Sequence, residues 1–194
     1  MSTLYVLRTL GWLVCGIYAT IPLFWLVIHP FADFWRSKFR APLKILVFAW
    51  IAMWAAAWTA TAPWRYTDIP LARAVAFSAV PLWLISLFIY FGGRRHFSLN
   101  QVIGRTELES DRHEQVLVTT GLHAHVRHPL YFGHLCTMLG WLALTRSAAV
   151  LILLVWAVVT GAIMIRTEDN ELEQRFGEPY REYRKRVPAV LPRR

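Results

Sequence analysis

The chain has 194 residues, 56% of them apolar and ten of them tryptophan, with a formal net charge of +9. A water-soluble domain of this length is rarely so apolar. Two cysteines make no disulfide framework, and no basic face is free of the apolar runs to meet nucleic acid, so the positive balance reflects membrane topology and anionic lipid.

Five charge-free runs follow in chain order: Thr9–Ala32, Ile45–Trp64, Ala74–Gly93, His128–Thr145 and Ser147–Ile165. A helix rises about 1.5 Å per residue, so roughly 20 residues cross the hydrocarbon. The expectation is an all-α integral membrane protein with about five transmembrane helices, the last two slightly short, in contact with the lipid bilayer. The first run does not read as a signal peptide: only Arg8 precedes it, it is too long, and no small-residue cleavage site closes it. Trp50, Trp54 and Trp58 recur every four residues, a packing stripe on one helix face. Pro22 and Pro81 predict kinks that neighbouring spans tolerate. Trp35, Trp64 and Tyr66 sit near span ends, where amphipathic rings favour the interface. Cys15 and Cys136 fall inside spans as small buried residues. Residues 1–93 therefore read as a scaffold of three transmembrane helices, and residues 94–194 as the region that carries chemistry.

Gly92-Gly93 closes the third run as a helix cap, and a long polar loop reaches to Arg127. Within it, Val116-Leu117-Val118-Thr119-Thr120 ends at Gly121. A lone strand has no partner here, so this stretch reads as an extended segment offering backbone N–H and C=O groups to a ligand. Arg127-His128-Pro129-Leu130-Tyr131 follows, with Pro129 placed as a first helical residue, where its missing N–H costs nothing. Arg146-Ser147 leaves almost no loop, so the fourth and fifth spans form an antiparallel hairpin. That hairpin brings His128 and Arg166 to one end.

The fifth helix is expected to leave the membrane through Glu168, Asp169, Glu171 and Glu173 and to stop at Gly177. Pro179 restarts a helix that Pro188 ends. Tyr180, Tyr183 and Val187 share one face, with basic residues around them, as in an amphipathic helix on an anionic leaflet. Of the 21 Lys and Arg residues, 17 lie on one side of a five-span topology. Positive charge stays in the cytoplasm. The N-terminus is therefore expected outside and the helical tail inside, and a bacterial inner membrane is the expected location.

His123, His125 and His128 lack the helical spacing of a ligand pair, and no metal is expected. His134 is open between a packed polar residue and a pocket wall. Arg166 and Glu168 sit at the membrane boundary beside Asp169 and Glu171. They read either as a mutual salt-bridge set or as ligand-binding groups. A carboxylate there can balance a cation, and a guanidinium can hold a substrate carboxylate by two parallel hydrogen bonds.

Taken with Leu117-Val118-Thr119-Thr120-Gly121, the sequence Arg127-His128-Pro129-Leu130-Tyr131 resembles the isoprenylcysteine carboxyl methyltransferase family. So does the tail, with Glu168-x-x-Glu171-Leu172, Phe176-Gly177, Tyr180, Tyr183, Val187-Pro188 and Pro192. The resemblance covers residues 94–192 and implies an enzyme that uses S-adenosylmethionine, with S-adenosylhomocysteine as product, bound on the cytoplasmic side under a tunnel open to lipid. It further implies that Gln115, Val116, Leu117, Val118 and His123 line the cofactor, that His128, Pro129, Leu130 and Tyr131 form a second wall, and that Glu168 reaches the cofactor. Arg166 is the expected substrate arginine. His123 stands where the family often has tyrosine, and Met164 where eukaryotic members have the arginine. The expected acceptor is lipid-like or lipid-tethered, and a carboxylate, already ionised at neutral pH, needs no base. A thiol or a phospholipid amine on the same scaffold is the alternative. A sterol-type reductase, about twice as long, and a non-catalytic membrane protein are further alternatives.

Overall fold

The computed structural model describes residues 2–39, 41–93 and 116–192. Gln115, His96 and the loop residues Arg94, Arg95, Arg105 and Arg112 lie outside the described residues. Within them the chain is helical: α1 Thr3–Ile28, α2 Ala32–Lys38, α3 Pro42–Ala60, α4 Ala79–Gly93, α5 Pro129–Thr145, α6 Ala148–Phe176 and α7 Glu178–Arg186, joined by short 3-10 turns.

Four helical stretches are long and apolar enough to cross a membrane: α1, α3, Arg73–Gly92 and α6. The fourth predicted span is α5, which has 17 residues, the lower end of a spanning range of roughly 17–25. It runs between the same two polar ends as α6. Its final carbonyl, at Thr145, accepts from buried Arg8 near the start of α1. Its N-terminal cap residue, His128, meets Asp169 in the charged part of α6.

Prolines move the helix ends away from the charge-free runs. Pro30 disfavours helical geometry at the residue before it, and α1 stops at Ile28. α3 ends at Ala60, and Pro63 sits in the 3-10 turn that follows. Arg73–Ser78 winds as a 3-10 turn before α4 begins at Ala79.

The main core forms where α1 meets α5 and α6. Trp12, Cys15 and Ala19 of α1 pack with Met138 and Leu142 of α5 and with Ala149, Val150, Leu153 and Leu154 of α6. The predicted tryptophan stripe joins α3 to this core: the Trp54 and Trp58 rings meet Trp12 edge-on at 5.4 and 4.6 Å. Both cysteines are free and buried. α4 lies along α5, where Gly133 and Gly140 leave room for Tyr90 and Trp83. Small residues that admit a neighbouring ring or backbone are how helices approach one another when lipid supplies no hydrophobic drive. Ser86 and Thr137 share a hydrogen bond of 2.6 Å across that contact.

The end away from the charged tail is clasped. Arg8 donates to the carbonyls of Thr145 and Tyr66 and pairs with Asp68. The Arg65 guanidinium lies 3.4 Å over the Trp58 ring, and the Ser147 hydroxyl donates to the Arg65 carbonyl at 2.8 Å. The connection from α5 to α6 is only Arg146-Ser147, as the sequence implied. Arg146 takes the left-handed conformation with φ 49°, a geometry unusual for a residue with a Cβ. It is held by Ile69 N–H donating to its carbonyl at 2.9 Å and by its own N–H donating to Leu142.

Candidate functional site

Two tight devices set the site. Pro129 is the first residue of α5, with His128 at the helix cap. The Arg127-His128 turn thus projects from the helix end. On the partner helix, Asp169, Leu172 and Phe176 recur at i, i+3 and i+7, so one stripe faces one neighbour. That neighbour is the tail. α6 stops at Gly177, which has φ 62° and donates its N–H to Glu173, and α7 starts at once. Only glycine adopts such a joint without strain.

The tail's apolar face is therefore covered by protein and does not lie on a leaflet. Tyr180, Tyr183 and Val187 are buried and pack with Leu117, Leu172 and Phe176. Its basic residues are largely paired: Arg181 with Glu173 and Glu178, Arg184 with Glu173, and Lys185 with Glu182. The segment after α7 completes the attachment. Pro188 and Ala189 carbonyls accept from Arg127 N–H and His128 N–H, both at 2.9 Å, and the Arg127 side chain donates to the Val187 carbonyl at 2.5 Å.

Asp169, 3% exposed, is the centre. One oxygen accepts from Arg127 at 2.6 Å, and the other accepts from Arg127 Nε at 3.2 Å and from the Tyr180 hydroxyl, and lies 3.1 Å from His128 Nε2. The other ring nitrogen of His128 lies 3.4 Å from a Glu168 oxygen. Burial works against a charged imidazole, but the Asp169 and Glu168 carboxylates outweigh it and push His128 up to about 9. Only the protonated ring can present a donor at both nitrogens. The tyrosine hydroxyls of the tail are pushed up by burial, Tyr183 to about 12, so they donate and do not ionise.

The predicted residues fall as follows. His128 and Glu168 come together. Pro129 is buried at the helix start, and Leu130 and Tyr131 are half-buried on its first turn. The Tyr131 ring lies 5.9 Å from that of His128 and 6.1 Å from that of His134. His134 in turn packs 4.6 Å from Tyr18. Val116 is exposed, Leu117 joins the tail cluster and Val118 is half-buried. This stretch forms neither helix nor strand and, among the described residues, pairs its backbone with no other backbone group. His123 is buried, and its carbonyl accepts from the Tyr183 hydroxyl at 2.7 Å. Arg166 is exposed. Two residues turn a helix by about 200°, so Arg166 continues the lipid-facing row of Val155, Val159 and Ile163, away from the face that carries Glu168. Gln115 lies outside the described residues.

Arg127 and Asp169 were not singled out from the sequence as the centre. The stripe of Asp169 with Leu172 and Phe176 was the available signal.

Known proteins share part of this sequence. A family model described as phospholipid methyltransferase matches residues 71–179, more than half of the chain. The cobalt-zinc-cadmium resistance protein CzcN of Cupriavidus metallidurans is 43% identical over 86 residues, 43% of this chain and 39% of that protein. The protein-S-isoprenylcysteine O-methyltransferase of Schizosaccharomyces pombe is 37% identical over 82 residues, 41% of this chain and 34% of that protein. Methanethiol S-methyltransferase 1 of Bradyrhizobium diazoefficiens is 26% identical over 179 residues, 84% of this chain and 59% of that protein. The chain thus spans less than two thirds of each of these relatives. No solved structure matches it. The matched segment takes in the third predicted span, the Arg127-His128 turn, the hairpin and the Glu168-Asp169 exit, and by that match the chain belongs to the phospholipid methyltransferase family.

Proposed function

We propose that the chain is an integral-membrane methyltransferase that takes S-adenosylmethionine and methylates an amphiphilic or lipid-tethered acceptor at a carboxylate. The observation that carries this reading is the meeting of His128 with Glu168 at the polar end of a helical hairpin, inside the family-matched segment. When bound, S-adenosylmethionine supplies a methyl group on a sulfonium centre. The residues present suit such a cation. Glu168 keeps a partly exposed carboxylate, while the Asp169 carboxylate is fully engaged. The backbone of Val116, Leu117 and Val118, outside any helix or strand, has polar groups to offer a ligand, and His128, Pro129, Leu130 and Tyr131 wall the other side.

The work left to the protein is alignment and exclusion of water. An acceptor carboxylate, with an ordinary pKa of roughly 4, is already a nucleophile at neutral pH. Arg166, on the lipid-facing edge of α6, is where an anionic acceptor arriving from the bilayer is captured. A second reading, a thiol acceptor, is favoured by the breadth of the match to the methanethiol enzyme, which runs along 84% of this chain.

The test uses purified protein in detergent. Calorimetry with S-adenosylmethionine should show binding that Glu168→Gln weakens and Arg166→Ala spares. Release of S-adenosylhomocysteine should then be followed with a farnesylated cysteine analogue, a long-chain carboxylate, a short alkyl thiol and phosphatidylethanolamine. Arg166→Ala should lower kcat/KM for the anionic acceptors by roughly ten- to a hundred-fold, the effect of losing one charged hydrogen bond in their capture. Turnover of the thiol alone would replace the carboxylate reading with the second one. Absence of binding by the wild-type protein would remove the cofactor from the proposal.

A further inference from the structure

Glu168 and Asp169 are adjacent carboxylates that differ in exposure, 29% against 4%. Asp169 is saturated: its oxygens meet Arg127, His128 and Tyr180, and Arg184 stands 3.8 Å away. A carboxylate so engaged has nothing left for a ligand. Glu168 retains exposed surface and meets the opposite edge of the same imidazole. The His128 ring is therefore pinned between a closed carboxylate and a partly exposed one.

The closed carboxylate is held by the tail. Tyr180 donates to it from α7, and the segment 187–189 takes hydrogen bonds from the backbone and side chain of the Arg127-His128 turn. The sequence separations are 11 residues for Tyr180 to Asp169 and 60 for Arg127 to Val187. Local helix formation creates neither contact. Both exist only while the tail is docked.

We infer that Asp169 is a positioning residue, and that the docked tail, acting through Asp169 and the 127–128 backbone, fixes the edge of His128 that meets Glu168 and so sets how Glu168 is presented to a ligand. The inference rests on the reading of Glu168 as the group that faces the methyl donor. Among the described residues, the titratable and charged groups beside His128, besides those two carboxylates, are Arg127 of the turn and Tyr131 of α5, while Tyr180 and Arg184 of α7 reach Asp169. The arrangement makes the tail a condition of the site and not a separate appendage.

Two readouts test it on the full chain in detergent. In protein labelled at histidine, NMR titration should give a His128 midpoint above neutrality in the wild type. It should fall toward the ordinary imidazole value, roughly 6.5, in Asp169→Asn and part of the way in Tyr180→Phe. Asp169→Glu should restore it in part. In parallel, calorimetry with S-adenosylmethionine should show Tyr180→Phe weakening affinity several-fold and Asp169→Asn roughly ten-fold or more, with the pH dependence of binding displaced in the same direction. Lys185→Ala, on the exposed face of the same helix, should change neither readout. Tyr180→Phe removes one oxygen and leaves the ring in place, so it serves if Asp169→Asn does not fold. An unmoved His128 midpoint in a folded variant overturns the inference. So does a moved midpoint with unchanged donor affinity and pH profile. If the wild type binds no donor, the cofactor reading falls, and the histidine titration alone decides whether Asp169 and the tail position the ring.

Discussion

Both ring nitrogens of His128 face carboxylates, and this gives the site a definite pH behaviour. The folded-state value of about 9 lies above the unfolded value of roughly 6.5. A group raised on folding contributes stability that is fully present below the unfolded value and is lost as pH rises through the folded one. Thermal unfolding of the wild type and of His128→Gln should therefore differ most near pH 6, and the gap should close between about pH 7 and pH 10. A gap that widens with rising pH would mean that the ring is buried neutral. The sequence exposed His128 and Glu168 because each belongs to a compact local pattern. It concealed Asp169 for a physical reason. A run of acids at a helix exit is the usual solvated end, and the partners that bury this one, Arg127 and Tyr180, come from a different helix end and from the tail.

At the scale of elements, the helices were legible because hydrocarbon thickness imposes a length of roughly 20 apolar residues. Their ends were less so, because Pro30 and Pro63 stop helices inside runs that remain apolar. The tail illustrates a further limit. Its apolar stripe, Tyr180 with Tyr183 and Val187, was readable, but apolarity alone does not distinguish a bilayer from a protein groove as the covering surface. The clasp at the opposite end yields a contrast between two members of one ion pair. Arg8 is buried and Asp68 is 63% exposed. Arg8→Ala leaves the carbonyls of Thr145 and Tyr66 without their donor, a loss on the order of 1–3 kcal/mol. Asp68→Asn removes only a solvent-screened partner and should cost under about 1 kcal/mol. Unfolding temperatures in one detergent should rank wild type, Asp68→Asn and then Arg8→Ala, with the larger drop at the second step.

At the scale of the whole molecule, α5 connects the clasped end to the site end, and we propose that it makes a fifth traverse beside the four longer apolar helices. With the basic asymmetry of the sequence, we propose that the clasp faces outward and that the site and tail face the cytoplasm. Reporter fusions at Tyr66 and after the last residue should report opposite sides. Agreement between the two reporters would show that α5 does not traverse.

The two-residue join between α5 and α6 also bears on how the chain enters a membrane. α5 carries His134, Thr137 and Gly140 and has buried residues along its whole length, so lipid alone is a poor solvent for it. α6 is apolar for 18 residues at a mean hydropathy of 2.7. A left-handed Arg146 leaves no slack for the two to be handled separately. They should partition into the bilayer together, with the more apolar member carrying the other. A nascent chain cut after Arg146 should leave α5 accessible to a membrane-impermeant protease or to thiol labelling at Cys136. Extending it through Phe176 should protect both helices at once. Protection of α5 in the shorter chain would show that it inserts on its own.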